Sequence, residues 1–209
     1  MSQPQLDLAS LFGQVVGTLT ENKQQLNKAD THNGDHGDNM VEIFSVITEA
    51  METKRDAAPS DQLAYASQLL KQRESGSAQV YSQSLFQAAQ DFQGQSVTSG
   101  NAIQLVQTLL GGGQPAPKAT ASDPVGNLLG SLLGGGQPQQ QADDGLDAGD
   151  LLNAGLAFLS AKQSGDTNME AMVDAVVATS NMGSTDHRSQ STALVANTLL
   201  QAVSGLANQ

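Results

Sequence analysis

At 209 residues, 38% hydrophobic but only 3% aromatic, the chain can hold one sizeable core and is read as a single domain, 1–209. A formal charge of −12, with nine lysines and arginines and no basic patch, argues against nucleic acid or anionic lipid as partners, since both require basic side chains to neutralise phosphate. The absence of cysteine excludes disulfides and thiolate metal sites. Met1–Asp7 has no secretory pattern, and no run approaches roughly 18 apolar residues, so the expectation is a soluble, cytoplasmic protein.

The composition, rich in alanine, leucine, glutamine and serine, favours helices packed through small side chains over a strand-built core. From Leu6 to Leu26, Leu8, Leu11, Phe12, Val15, Val16 and Leu19 recur at spacings of three and four, one stripe of an amphipathic helix that ends near Asp30. A second stripe holds Val41, Ile43, Phe44, Val46, Ile47 and Met51. Pro59-Ser-Asp then opens a helix with Leu63, Ala66, Leu69 and Leu70. Ser75-Gly-Ser-Ala opens another, with Val80, Tyr81, Leu85, Phe86, Ala89 and Phe92 on its apolar side, and a fifth runs from about Gly100 through Leu110.

The pattern breaks where Leu109-Leu-Gly-Gly-Gly-Gln-Pro115 recurs as Leu132-Leu-Gly-Gly-Gly-Gln-Pro138, with Pro117 and Pro124 between. Triple glycine is costly to order and proline interrupts helices, so about 111–146 reads as a Gly/Pro/Gln-rich insertion carrying one short helix, 125–133. It is either a lid or a tolerated surface loop. Helical patterning resumes over 147–162, 167–179 and from about Arg188 to Leu206. The whole is an all-α chain of roughly eight long helices.

The densest chemistry lies in Asp30-Thr-His-Asn-Gly-Asp-His-Gly-Asp-Asn-Met40. Carboxylates this close repel one another unless a cation sits among them, and magnesium takes oxygen ligands of this kind. A helix starting behind them offers free N–H groups and a positive dipole end to a phosphate. The alternative is a loop with a helix cap, the role preferred for Asp38. His32 and His36 have zinc-like spacing, but the intervening glycine points instead to an imidazole that donates to a phosphate or caps a turn. Arg188 suits a phosphate or pairs with Asp186 on the surface; Ser75-Gly76 suits a phosphate or caps a helix; Met169 and Met172 are core filler or an adenine platform.

In order, Leu26-Asn27…Asp30, Asn33-Gly34-Asp35-His36-Gly37-Asp38-Asn39-Met40, Ser75-Gly76 with Tyr81, Gly165-Asp166-Thr167-Asn168-Met169…Asp174-Ala175, and Thr179, Met182 and Arg188-Ser189 resemble the ADP-binding L subunit of bacterial dihydroxyacetone kinase. The resemblance runs nearly end to end. It implies an antiparallel barrel of about eight helices that holds a nucleotide and magnesium at one rim. It also implies Asp30, Asn33 and Asp35 as metal ligands, His36, Gly37, Asp38 and Asn39 at the phosphates, Ser75 and Gly76 at phosphate or ribose, Met169 at the adenine and Arg188 at the anionic end.

Three departures weaken the implied site. Asn33 stands where the family has a third aspartate, Asp30 is two residues closer to it than in the family, and Ser204-Gly-Leu-Ala-Asn-Gln209 replaces an Asp-Pro-Gly segment that lies over the nucleotide. The resemblance therefore carries two expectations of function. One is a Mg2+- and ADP/ATP-binding module that takes part in phosphoryl transfer with a separate acceptor-binding kinase subunit. The other is a non-catalytic barrel with a weakened site and a structural or partner-binding role.

Overall fold

A computed structural model of the chain describes residues 5–111 and 186–207. The expected insertion, the helices expected over 147–162 and 167–179, and Met169 lie outside the described residues. Within them the structure is all-helical, with six helices: α1 (Leu8–Ala29), α2 (His36–Thr53), α3 (Pro59–Leu70), α4 (Gly76–Asp91), α5 (Ala102–Leu110) and α6 (Asp186–Ala207). The only strand-like contact among them is an isolated bridge from Gln5 to Thr98, which ties the segment before α1 to the turn before α5. No helix of the described residues is long and apolar enough to cross a membrane.

Each start has a local cause. Asp7 caps α1 by accepting from the N–H groups of Ala9 and Ser10 at 2.9 and 3.2 Å. Pro59 occupies the first turn of α3, where a missing N–H is harmless. The Ser75 hydroxyl accepts from Ala78 N–H at 3.4 Å at the mouth of α4. α2 begins five residues earlier than its apolar stripe suggests, so His36-Gly37-Asp38-Asn39 forms its first turn rather than a loop.

α1 and α2 form an antiparallel hairpin, in which Asp7 meets Arg55, Gly13 faces Thr48, Lys23 meets Asp38 and Asn27 meets Gly37. α2 packs on α3, α3 on α4, α4 on α5 and α5 on α6, and α6 returns to α1, so the packing closes on itself. Ser67 and Ser82 fasten α3 to α4 by each donating to the other's backbone carbonyl, at 2.7 and 2.9 Å. The core contains Phe12, Phe44, Phe92, Leu19, Leu63 and Leu85, all fully buried, and each such side chain stabilises the fold by about 1.5–3 kcal/mol. Phe86 is an exception to the expected stripe. It is 57% exposed, because Leu85, Ala88, Ala89 and Phe92 complete the inward arc of α4 without it.

An aromatic chain leads from this core to the chemistry. Phe12 of α1 lies 6.3 Å from Phe44 of α2, and the Tyr81 ring of α4 stands edge-on to Phe44 at 5.0 Å and 75°. These contacts fix the Tyr81 ring between α2 and α4, close to the place where α6 begins.

Candidate functional site

The turn from α1 to α2 is built around Asp30. Its side chain is buried and accepts from the His32 N–H at 3.0 Å. That bond holds the carboxyl below the usual carboxylate range; burial opposes it, while His187 and the N–H groups of Asn33 and His36 assist. Gly34 completes the turn at φ 72°, a left-handed conformation that suits glycine. Asn33 is exposed. Asp35, half-buried, sits at the cap position of α2 without bonding its N–H groups, and accepts instead from Asn39 Nδ2 at 2.6 Å.

Asn27 takes up part of the helix mouth expected to be free for phosphate. Its Oδ1 accepts from the Gly37 and Asp38 N–H groups at 2.7 and 3.2 Å, while its Nδ2 donates to Asp38 at 2.7 Å. Asp38 also pairs with Lys23 at 2.9 Å, and these two partners lower its pKa. Both are on α1, so Asp38 faces the α1–α2 seam. Gly37 meets a steric limit at the same seam, where a Cβ would overlap the Lys23 carbonyl oxygen.

His36 is where α2 meets α6. Its ring is buried, its Nε2 lies 2.9 Å from the Ser191 hydroxyl, and its ring centre is 4.7 Å from that of His187. Ser191 donates to the Arg188 carbonyl at 3.0 Å, so its oxygen accepts from His36 and the network assigns the Nε2–H tautomer. Burial, then His187 and Arg188, push the His36 pKa down to about 4, against the pull of Asp30 and Asp35. The ring is therefore neutral at pH 7.

Arg188 stands over the start of α4. Its Nη2 lies 3.6 Å from where a Cβ on Gly76 would be, and among the described residues no carboxylate is in ion-pair range of its guanidinium. The expected pairing with Asp186 falls on a side chain outside the described ones. Beneath Arg188 a cleft of about 20 Å³ opens to solvent on one side, lined by His36, Met40, Tyr81, Ser191 and Thr192, with Ser77 and Val80 from α4. That space admits a single oxygen-sized group.

The structure thus brings His36, Gly76 and Arg188 to one place, with Ser75 at the same helix start and Asp30 and Asp35 close enough to act on the His36 charge. Asp38 and Asn39 are engaged elsewhere. The exposed His32 and the buried His36 do not form the zinc-like pair that their spacing suggests. Among the described residues no three histidine or acidic side chains gather closely enough to hold one metal ion. His187, Ser191 and Thr192 belong to the site without a sequence signal, except that Ser191 and Thr192 follow Arg188 by three and four residues, the spacing of one helix face; Asn27 stands in a string that carries the resemblance, which gave it no role at the site. Compared with protein-family models, with curated proteins and with solved structures, the chain matches none of them.

Proposed function

We propose that this chain is a nucleotide- and magnesium-binding helical barrel of the dihydroxyacetone kinase L-subunit type, which presents ADP or ATP for phosphoryl transfer to an acceptor held by a separate subunit. The observation that carries the reading is the position of Arg188: a guanidinium with no carboxylate in ion-pair range among the described residues, at the mouth of α4, beside Ser75 and Gly76, above buried His36 and next to the turn that holds Asp30 and Asp35. Guanidinium and helix N-terminus both favour a phosphate. The ring of helix contacts that closes from α6 to α1 agrees with a barrel.

The metal ligands fit in part. Asp35 is half-buried and offers a carboxylate oxygen, with Asn33 exposed nearby for an amide oxygen, whereas the Asp30 carboxylate is already engaged by backbone N–H groups. Magnesium is commonly held by one or two carboxylates and completed by phosphate oxygens and water, so this donor set suits an ion that arrives with its nucleotide. Once bound, that ion would neutralise phosphate charge. The chain's own residues orient the anion through Arg188 and the first turn of α4, and keep the His36 ring uncharged beneath it.

A second reading, a non-catalytic barrel with a structural or partner-binding role, draws on Asn27, which fills two N–H groups at the mouth of α2. Calorimetric titration with ADP and magnesium separates the two. The first expects binding heat that Asp35→Ala removes; no heat at millimolar ligand selects the second.

A further inference from the structure

We propose that the Tyr81 hydroxyl is the donor reserved for an oxyanion, so that the cleft between α2, α4 and α6 binds phosphate without a divalent ion. The inference rests on the reading of this cleft as the phosphate end of a nucleotide site, yet it needs neither the nucleoside nor the metal.

Tyr81 is 3% exposed, and its hydroxyl has no hydrogen-bond partner among the described residues. A buried O–H left unpaired is unfavourable, and native structures retain few such groups. Its neighbours in the cleft are already committed, since Ser191 and Thr192 both donate to the Arg188 carbonyl, at 3.0 and 2.7 Å, and His36 is bonded to Ser191. The Tyr81 phenol therefore remains as the buried donor. Burial raises its pKa well above the ordinary tyrosine value, which keeps the proton in place.

The edge contact with Phe44 holds the ring, so the hydroxyl cannot swing out to water without breaking an aromatic pair. The surroundings select the ligand's charge. Arg188 provides a cation with no carboxylate in ion-pair range among the described residues, and the sixteen-residue helix α4 begins at Gly76 beside it. The space of about 20 Å³ admits one oxygen. A tetrahedral oxyanion with one oxygen in the cleft and the others at the open mouth is the ligand that a phenol, a guanidinium and a helix N-terminus together favour.

The test uses the full chain, titrated by calorimetry with inorganic phosphate and with ADP, each in EDTA and in magnesium. Phosphate is expected to bind in EDTA, and Tyr81→Phe to weaken it at least about tenfold, the loss of one hydrogen bond to a charged group. The ligand-free Tyr81→Phe protein is expected to melt no lower than the parent, because the hydroxyl has no hydrogen-bond partner among the described residues. Unchanged phosphate affinity in Tyr81→Phe, or no phosphate binding in EDTA by the parent, overturns the inference.

Phosphate binding without ADP binding would end the kinase-type reading and leave the inference standing; ADP binding that ignores Tyr81→Phe would do the reverse. If the variant does not fold, near-ultraviolet absorbance of the parent, which has two tyrosines, serves instead. A phosphate-dependent shift is expected, and its absence overturns the inference.

Discussion

His36 and Ser191, 155 residues apart in the chain, meet at 2.9 Å and join the first turn of α2 to the first turns of α6. Ser191→Ala leaves the buried Nε2–H without an acceptor. The expected cost is about 1–3 kcal/mol, read as a lower urea midpoint with an unchanged slope. A midpoint equal to that of the parent would mean that α6 docks without this bond.

The same histidine makes stability depend on pH. Its pKa is about 4 in the fold against an ordinary 6.5, so between those values the unfolded chain binds the extra proton. Its contribution is complete above about pH 6.5 and is lost as pH falls toward 4. Urea midpoints measured from pH 7.5 down to 4 should fall, and His36→Gln should flatten part of that fall. Parallel declines in both proteins would place the acid sensitivity elsewhere.

Gly37 belongs to the string that resembles a nucleotide-binding motif, yet its first constraint is packing. A Cβ there would overlap the Lys23 carbonyl oxygen, which is backbone and cannot swing aside. Gly37→Ala should therefore separate α1 from α2 and cost about 1–3 kcal/mol or more. Asn27→Ala should cost about 1–2 kcal/mol by removing the acceptor that caps α2. Both are measured by chemical denaturation, and a neutral Gly37→Ala would contradict the close approach.

These residues mark what a sequence can and cannot reveal. The apolar stripes, Pro59 in a first helical turn and the capping Ser75 are local patterns, and they locate α1, α3, α4, α5 and α6 within about two residues of their ends. The start of α2 was less legible, because His36 and Gly37 are buried without being apolar. Arg188 and Ser75-Gly76 were recognisable as anion-seeking residue types, but nothing in their spacing puts them side by side. Asn27, Ser191 and the orphaned Tyr81 hydroxyl acquire their roles only when three helices meet.

The resemblance puts Asp38 at the phosphates, and its place in the sequence suits a helix cap. Its partners Lys23 and Asn27 both lie on α1. Asp38→Ala should therefore leave ADP and phosphate binding within about twofold of the parent, with only a small change in stability, because its ion pair is exposed to solvent. A large loss of affinity would place Asp38 at the ligand after all.

The resemblance makes Asp30 and Asp35 magnesium ligands alike, but their surroundings divide them. Asp30 is buried and gathers the N–H groups of its own turn, so Asp30→Ala should lower the melting point whether or not a ligand is present, by leaving those donors unpaired. Asp35 is half-buried, and among the described residues its carboxylate bonds only the Asn39 side chain. Asp35→Asn should keep the melting point within a few degrees of the parent while weakening magnesium-dependent ADP binding about tenfold or more, since an amide oxygen carries no charge to the ion. Magnesium titration of each variant at fixed ADP distinguishes the roles. Unchanged magnesium dependence in Asp35→Asn would remove that carboxylate from the metal site, and with it the main support for a kinase-type ion.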